Sequence, residues 1–157
     1  MNKDGVSIKG FFRVKIKEDG TTVGDSGWKE NMTTDLGFKQ YLCAALVGDS
    51  PTAIGYIALG TGGTPATDAV TLAGEIMAST KRKAVTTAYV NSHTAQFTAT
   101  FASSDSFVTT TYDISNIGLY YATTTNDTLF AGNVYASSTL NTNQDVNITY
   151  QIRFSTA

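Results

Sequence analysis

Histidine, cysteine and tryptophan occur once each in these 157 residues, and proline twice. Each scarcity removes a class of chemistry. The single Cys43 allows no intrachain disulfide and no cysteine-built metal site; in its apolar stretch it is expected to act as a small core residue. The lone His93 falls in a predicted turn, with no serine, cysteine or aspartate motif to offer it a catalytic partner. Acidic residues are scattered and show no calcium-loop spacing. No catalytic, cofactor-binding or metal-binding residues are therefore expected, and the chain reads as a protein without enzymatic activity. No apolar run approaches the length of a membrane-spanning helix, and the first twenty residues show no secretory leader. Synthesis and assembly in a reducing cytoplasm, away from membranes, is the expectation.

Charge is also sparse. Charged residues make up 15% of the chain, against about 25% in an ordinary soluble domain, and the net charge of −2 predicts no nucleic-acid partner. Basic residues cluster at Lys3 to Lys17 and at Lys81-Arg82-Lys83, leaving Arg153 alone near the end. One basic end would suit an acidic surface, and would equally serve as a solvated face.

What the chain has instead is threonine, roughly one residue in six. Its branched side chain suits strands with a wet outer face. Ile8, Phe12, Val14 and Ile16 alternate with Lys9, Phe11, Arg13, Lys15 and Lys17, the pattern of a half-buried strand. Asp19-Gly20 supplies a turn, so residues 22–28 would return as the second arm of an N-terminal hairpin. A helix is predicted near 34–47, capped by Thr33 or Thr34, with Phe38, Leu42, Ala45 and Leu46 as its apolar stripe and Gly48 as its stop. A short strand over 54–59 leads into Gly60 to Pro65, a loop without the Gly-Lys-Ser/Thr ending of a phosphate-binding turn. Residues 72–77 suggest a helical turn. Strands follow at 84–90, 95–101, 114–122, 129–135 and 146–154, the last alternating cleanly from Val146 to Phe154. One mainly β domain over 1–157 is expected, an antiparallel β-sandwich of jelly-roll type with one short α-helix and an N-terminal β-hairpin. Residues 1–30 would form either an extension of its sheet or an anchoring arm.

An ordered set of residues adds a resemblance. Trp28-Lys29-Glu30-Asn31, Gly37, Tyr56-Ile57-Ala58-Leu59-Gly60-Thr61-Gly62, Pro65, Leu72 with Glu75-Ile76, and Ile117-Gly118-Leu119-Tyr120 together resemble tailed-bacteriophage virion proteins of the head decoration (cement) or tail-fibre-like group. The likeness spans about residues 28–157 and leaves the N-terminal hairpin outside. Two departures stand out. Relatives place an Arg just after the residue matching Glu75, whereas the nearest here is Arg82; and Ser115-Asn116 stand where a Glu often precedes the Ile-Gly-Leu segment.

The resemblance implies a virion structural protein that decorates the outer capsid as an oligomer, with the major capsid protein or another virion protein as partner. A tail-fibre or neck component with a carbohydrate-binding surface is the alternative. A homotrimer is expected, because a weakly charged chain gains from burying its strand edges against copies of itself. The expected partner-binding residues are Lys9, Phe11, Arg13, Lys15, Lys17 and Trp28.

Overall fold

The computed structural model describes residues 5–49, 52–76, 82–105, 107, 109–123 and 129–156. Ten strands form the fold: β1 (Val6–Glu18), β2 (Thr21–Asp25), β3 (Lys29–Thr33), β4 (Tyr56–Gly60), β5 (Lys83–Ala84), β6 (Thr86–Asn91), β7 (Thr94–Phe101), β8 (Tyr112–Tyr120), β9 (Leu129–Leu140) and β10 (Asp145–Thr156). All pairings are antiparallel, in the order β5-β4-β8-β9-β3-β1-β10-β7-β6, with β2 attached beside β1. The two ends of this path, β5 and β6, are separated in sequence by Val85 alone, so the sheet must curl until its ends nearly meet. The Val85 N–H donates to the Gly55 carbonyl at 2.9 Å and helps hold the seam.

The chain is therefore mainly β and antiparallel, as its alternation predicts, but the strands make a nearly closed, barrel-like sheet. The two-sheet sandwich of jelly-roll type is not what forms. Alternation reports only that each strand has a dry face and a wet face, which a barrel and a sandwich share. The deciding strand is β3. It pairs with β1 through Lys29, Glu30 and Asn31 and with β9 through Met32 and Thr33, joining what would otherwise be two separate layers.

The N-terminal hairpin forms as expected, around Asp19 and Gly20, both at positive φ, as a two-residue turn between twisted strands requires. Its first strand is no appendage. β1 pairs with β10 from Val6↔Thr156 to Lys17↔Asp145 and carries β2 and β3 on its other side. Phe12, Val14 and Ile16 lie in the central core, where each stabilises by roughly 1.5–3 kcal/mol. Phe12 stacks on Tyr150 at 5.7 Å and meets Tyr135 edge-on at 6.0 Å. This face is filled by the protein itself, so an anchoring arm with these side chains free for a partner is not what β1 provides.

The helical segment α1 (residues 35–47) also departs from expectation. Thr34 caps it, its hydroxyl accepting from the Gly37 N–H at 3.0 Å, and Gly48 ends it at φ +70°. Between α-helical Asp35–Gly37 and Ala44–Val47, however, residues Phe38–Cys43 form a π-helical turn. The wider turn shifts the phase of everything after it. Tyr41 takes the buried position, meeting Phe130 at 4.9 Å. Phe38 is exposed, Leu42 is half-buried, and Leu46 is 87% exposed. Cys43 is exposed as well, so it is not the core residue its neighbours suggest. Among the described part of residues 72–77, Ala73 and Gly74 make a turn and Glu75 bridges to Gly60; Met77 lies outside the described residues.

Candidate interaction surface

The register of the sheet sorts the six expected partner-binding residues. Lys9, Phe11, Arg13, Lys15 and Lys17 alternate with the buried side chains of β1 and so share its outer face. Opposite them on β10 stand Arg153, Gln151, Thr149, Asn147 and Asp145. Trp28, 44% exposed, joins them just before β3. Arg153, which sequence reasoning missed, organises one end of this face. Its guanidinium lies 4.4 Å from the Phe11 ring centroid and 5.9 Å from that of Trp28. Its Nε and Nη2 donate to Gln151 Oε1 at 3.2 and 2.7 Å, and Gln151 Nε2 donates to Gln96 Oε1 at 2.8 Å. A hydrogen-bonded arginine over aromatic rings is a pre-oriented contact group. The sequence signal was available: Arg153 falls opposite Lys9 once the terminal strand is paired with the first.

Two of the four cations in the basic row are paired. Lys9 pairs with Glu30 at 3.3 Å. Arg13 makes a two-point contact with Asp25, Nε–Oδ1 at 2.9 Å and Nη2–Oδ2 at 2.5 Å. This hydrogen bonding lowers the Asp25 carboxyl to about 2 and raises the Arg13 guanidinium. The acids come from β2 and β3, so the strand read alone looks more basic than the folded face is.

Beside this patch lies an open cleft of about 570 Å³, lined by Lys9, Phe11, Ser92, His93, Arg153 and Phe154 among others. His93 stands on the β6–β7 turn as expected. Its Nδ1 contacts Ser92 Oγ at 2.9 Å, its backbone N–H donates to Asn91 Oδ1, and it is exposed. No carboxylate lines this cleft among the described residues. No group of three or more potential metal ligands occurs among them, and no helix is long and apolar enough to cross a membrane.

The middle residue of the second basic cluster, Arg82, is not on the surface. Lys81 lies outside the described residues. Arg82 is buried, donating from Nε to Glu75 Oε1 at 2.7 Å, from Nη2 to Glu75 Oε2 at 3.1 Å and from Nη1 to the Ala122 carbonyl at 3.1 Å. It also covers the Tyr120 ring at 3.5 Å. Tyr120, fully buried, donates to Glu75 and accepts from the Leu72 N–H; burial raises its hydroxyl pKa. Lys83 bonds Asp105, which lowers that carboxyl. Glu75 thus finds its cation seven residues further along the chain.

The glycine loop is pinned by the same region. The Thr61 and Gly62 N–H groups donate to the Gly74 and Ala73 carbonyls, while Ser115 and Asn116 donate to the Gly62 and Gly63 carbonyls. A Cβ on Gly62 would lie 2.3 Å from the Ala73 oxygen. Glycine is needed there for backbone to meet backbone, and two of the amides a phosphate would need are already committed.

A different surface is presented by β6. Among the described residues it pairs only with β7; it is exposed along its whole length and carries no charge. Tyr89 is 89% exposed and Val90 is exposed beside it. A cavity of about 320 Å³ lined by Ala53, Ile54, Thr87, Tyr89, Ala95 and Phe97 runs along its inner side.

Compared with family models, with curated proteins and with solved structures, the chain shows no significant match to any of them.

Proposed function

We propose that this chain is a non-enzymatic structural protein of a tailed-bacteriophage virion, a decoration protein that binds the outer head surface as an oligomer and stabilises it. The observation that carries the proposal is the outer-face patch of Phe11, Trp28 and Arg153. Aromatic residues and arginine are the residue types enriched where proteins bind one another, and here they are held together on a rigid sheet. The lysines beside them would steer approach to an acidic partner surface and set register. The partner would be the major capsid protein or another virion protein, and the resemblance over residues 28–157 points the same way. Adding the purified protein to particles that lack it tests the proposal. Co-sedimentation with the particle and a raised particle melting temperature are expected, both weakened in an Arg153→Ala, Phe11→Ala variant that keeps its fold. A protein that ignores the head surface, or a variant that binds equally well, would refute it.

The cleft favours a second reading, a tail-fibre or neck component that binds carbohydrate. It combines an aromatic ring, Phe11, with the polar groups of Asn91, Ser92 and Arg153, the mixture that stacks on and hydrogen-bonds sugars. Binding to a glycan array, abolished by Phe11→Ala, would favour that reading over head decoration.

A further inference from the structure

We infer that the free edge of β6 is a self-association site, at which two copies of this chain pair their β6 strands antiparallel about a two-fold axis. The direction of the backbone groups can be read from β7. The Phe154 N–H donates to the His93 carbonyl, which fixes the hydrogen-bonded pairs between β7 and β10 at the odd-numbered residues of β7. Even-numbered residues of β7 therefore face β6. In the observed register these meet Thr86 and Ala88. By alternation the N–H and C=O groups of Thr87 and Tyr89 point away from β7, to the side on which Val85 bonds Gly55. No described strand takes them.

Natural sheets guard such edges with lysine, proline or inward-pointing charge. Thr86-Thr87-Ala88-Tyr89-Val90-Asn91 has none of these, and its two large apolar side chains are exposed. The sequence is also self-complementary. Placing Thr87 opposite Tyr89 of the second copy lets both residues exchange both backbone hydrogen bonds, about four in all. Ala88 then faces its own equivalent at the axis, in the close spacing of a non-hydrogen-bonded pair, which a methyl side chain suits. Threonine opposite tyrosine is a favourable cross-strand pair, and no charge meets another.

The cavity supplies the second observation. Thr87 and Tyr89 sit opposite Phe97 and Ala95, whose side chains face the core. Tyr89 of the incoming strand would thus lie on the inner side, over the cavity between Ile54 and Phe97, and fill it with its ring. The trimer expected from composition would need a different, head-to-tail contact; an edge that complements itself closes as a dimer.

Sedimentation velocity across the micromolar range tests this. The wild-type chain should run at twice the chain mass. Thr87→Pro removes an N–H that no described strand of its own copy uses, so it should run as a monomer with an unchanged circular-dichroism spectrum. Ala88→Lys, which sets two ammonium groups against each other at the axis, should do the same. As a gain-of-signal measurement, Ala88→Cys in a Cys43→Ser background should form a disulfide-linked dimer under mild oxidation, since paired Cα atoms about 4.5 Å apart fall within disulfide reach. Ser92→Cys in that background should not. A monomeric or trimeric wild type, dimers that survive both edge substitutions, or equal cross-linking at 88 and 92 would overturn the inference.

Discussion

Strands β1 and β6 belong to one sheet and do opposite things. β1 is partnered on both sides over most of its length and presses Phe12, Val14 and Ile16 into the core. β6 is exposed along its length and, among the described residues, partnered on one side. Neither strand is interrupted by proline, but only β1 alternates between buried and exposed side chains. What separates them is where the chain's other strands come to lie: the last strand, β10, covers β1 on one flank and separates it from β7 and β6. The first strand therefore holds the fold together, and β6 leaves capacity for an outside partner. The self-association inferred for β6 would thus draw on a strand edge that the core of β1 does not use, and substitutions should separate the two.

The largest effect is expected at β1. Deleting residues 1–20 removes β1 from the middle of the sheet, and the truncated chain should fail to fold by circular dichroism, whether or not a partner is present. Phe12→Ala should cost about 3–5 kcal/mol, measured by urea unfolding, as for other large aromatic truncations in a core. Next comes the buried ion pair. Arg82→Met leaves Glu75 and the Tyr120 hydroxyl without their cation, and should cost about 3–5 kcal/mol. Adding Glu75→Gln to it should restore a measurable part, since the charge left unpaired is then gone. At β6 the expectation reverses. Tyr89→Ser should change unfolding free energy by no more than about 0.5 kcal/mol, measured under dilute conditions where association does not contribute.

The smallest effect is electrostatic. Asp25 is held at about 2 in the fold, below its ordinary 3.8, chiefly by its hydrogen bond to Arg13. A carboxyl lowered on folding stabilises the fold above its unfolded pKa, and that contribution fades as the pH falls through the folded value. The wild type should therefore lose stability between pH 3.8 and about 2 by a component that Asp25→Asn lacks. Parallel acid-unfolding curves for the two proteins would show it as a difference in slope confined to that window.

Much of the fold was legible because alternation in a strand is a local property. The faces of β1, β7 and β10 follow from their residues alone, as does the Asp19-Gly20 turn. Closure of the sheet was not legible, since it depends on β3 pairing with two partners that are far apart in sequence. The helix was half-legible: Thr34 and Gly48 mark its ends, but the π-helical turn that buries Tyr41 and exposes Phe38 and Leu46 leaves no mark in a 3.6-residue pattern. On the candidate surface, alternation correctly grouped Lys9, Phe11, Arg13, Lys15 and Lys17. It did not reveal that Glu30 and Asp25 neutralise part of that row, nor that Arg153 crosses from the last strand to cover Phe11. Arg82 read as one of a cluster of three cations and proved buried, because its partner Glu75 stands seven residues earlier, too far for the cluster itself to reveal it.

Hydrogen exchange read by mass spectrometry, at low and at high protein concentration, tests the contrast between the two strands most directly. The β1 amides should be protected at both concentrations. The amides of Thr87 and Tyr89 should exchange rapidly in dilute solution and become protected as concentration rises, while that of Ala88, bonded to β7, stays protected throughout. Protection of Thr87 and Tyr89 already in dilute monomer would mean that the edge is covered within one chain, and rapid exchange at every concentration would mean that nothing pairs there. Either result would contradict the division of labour between β1 and β6.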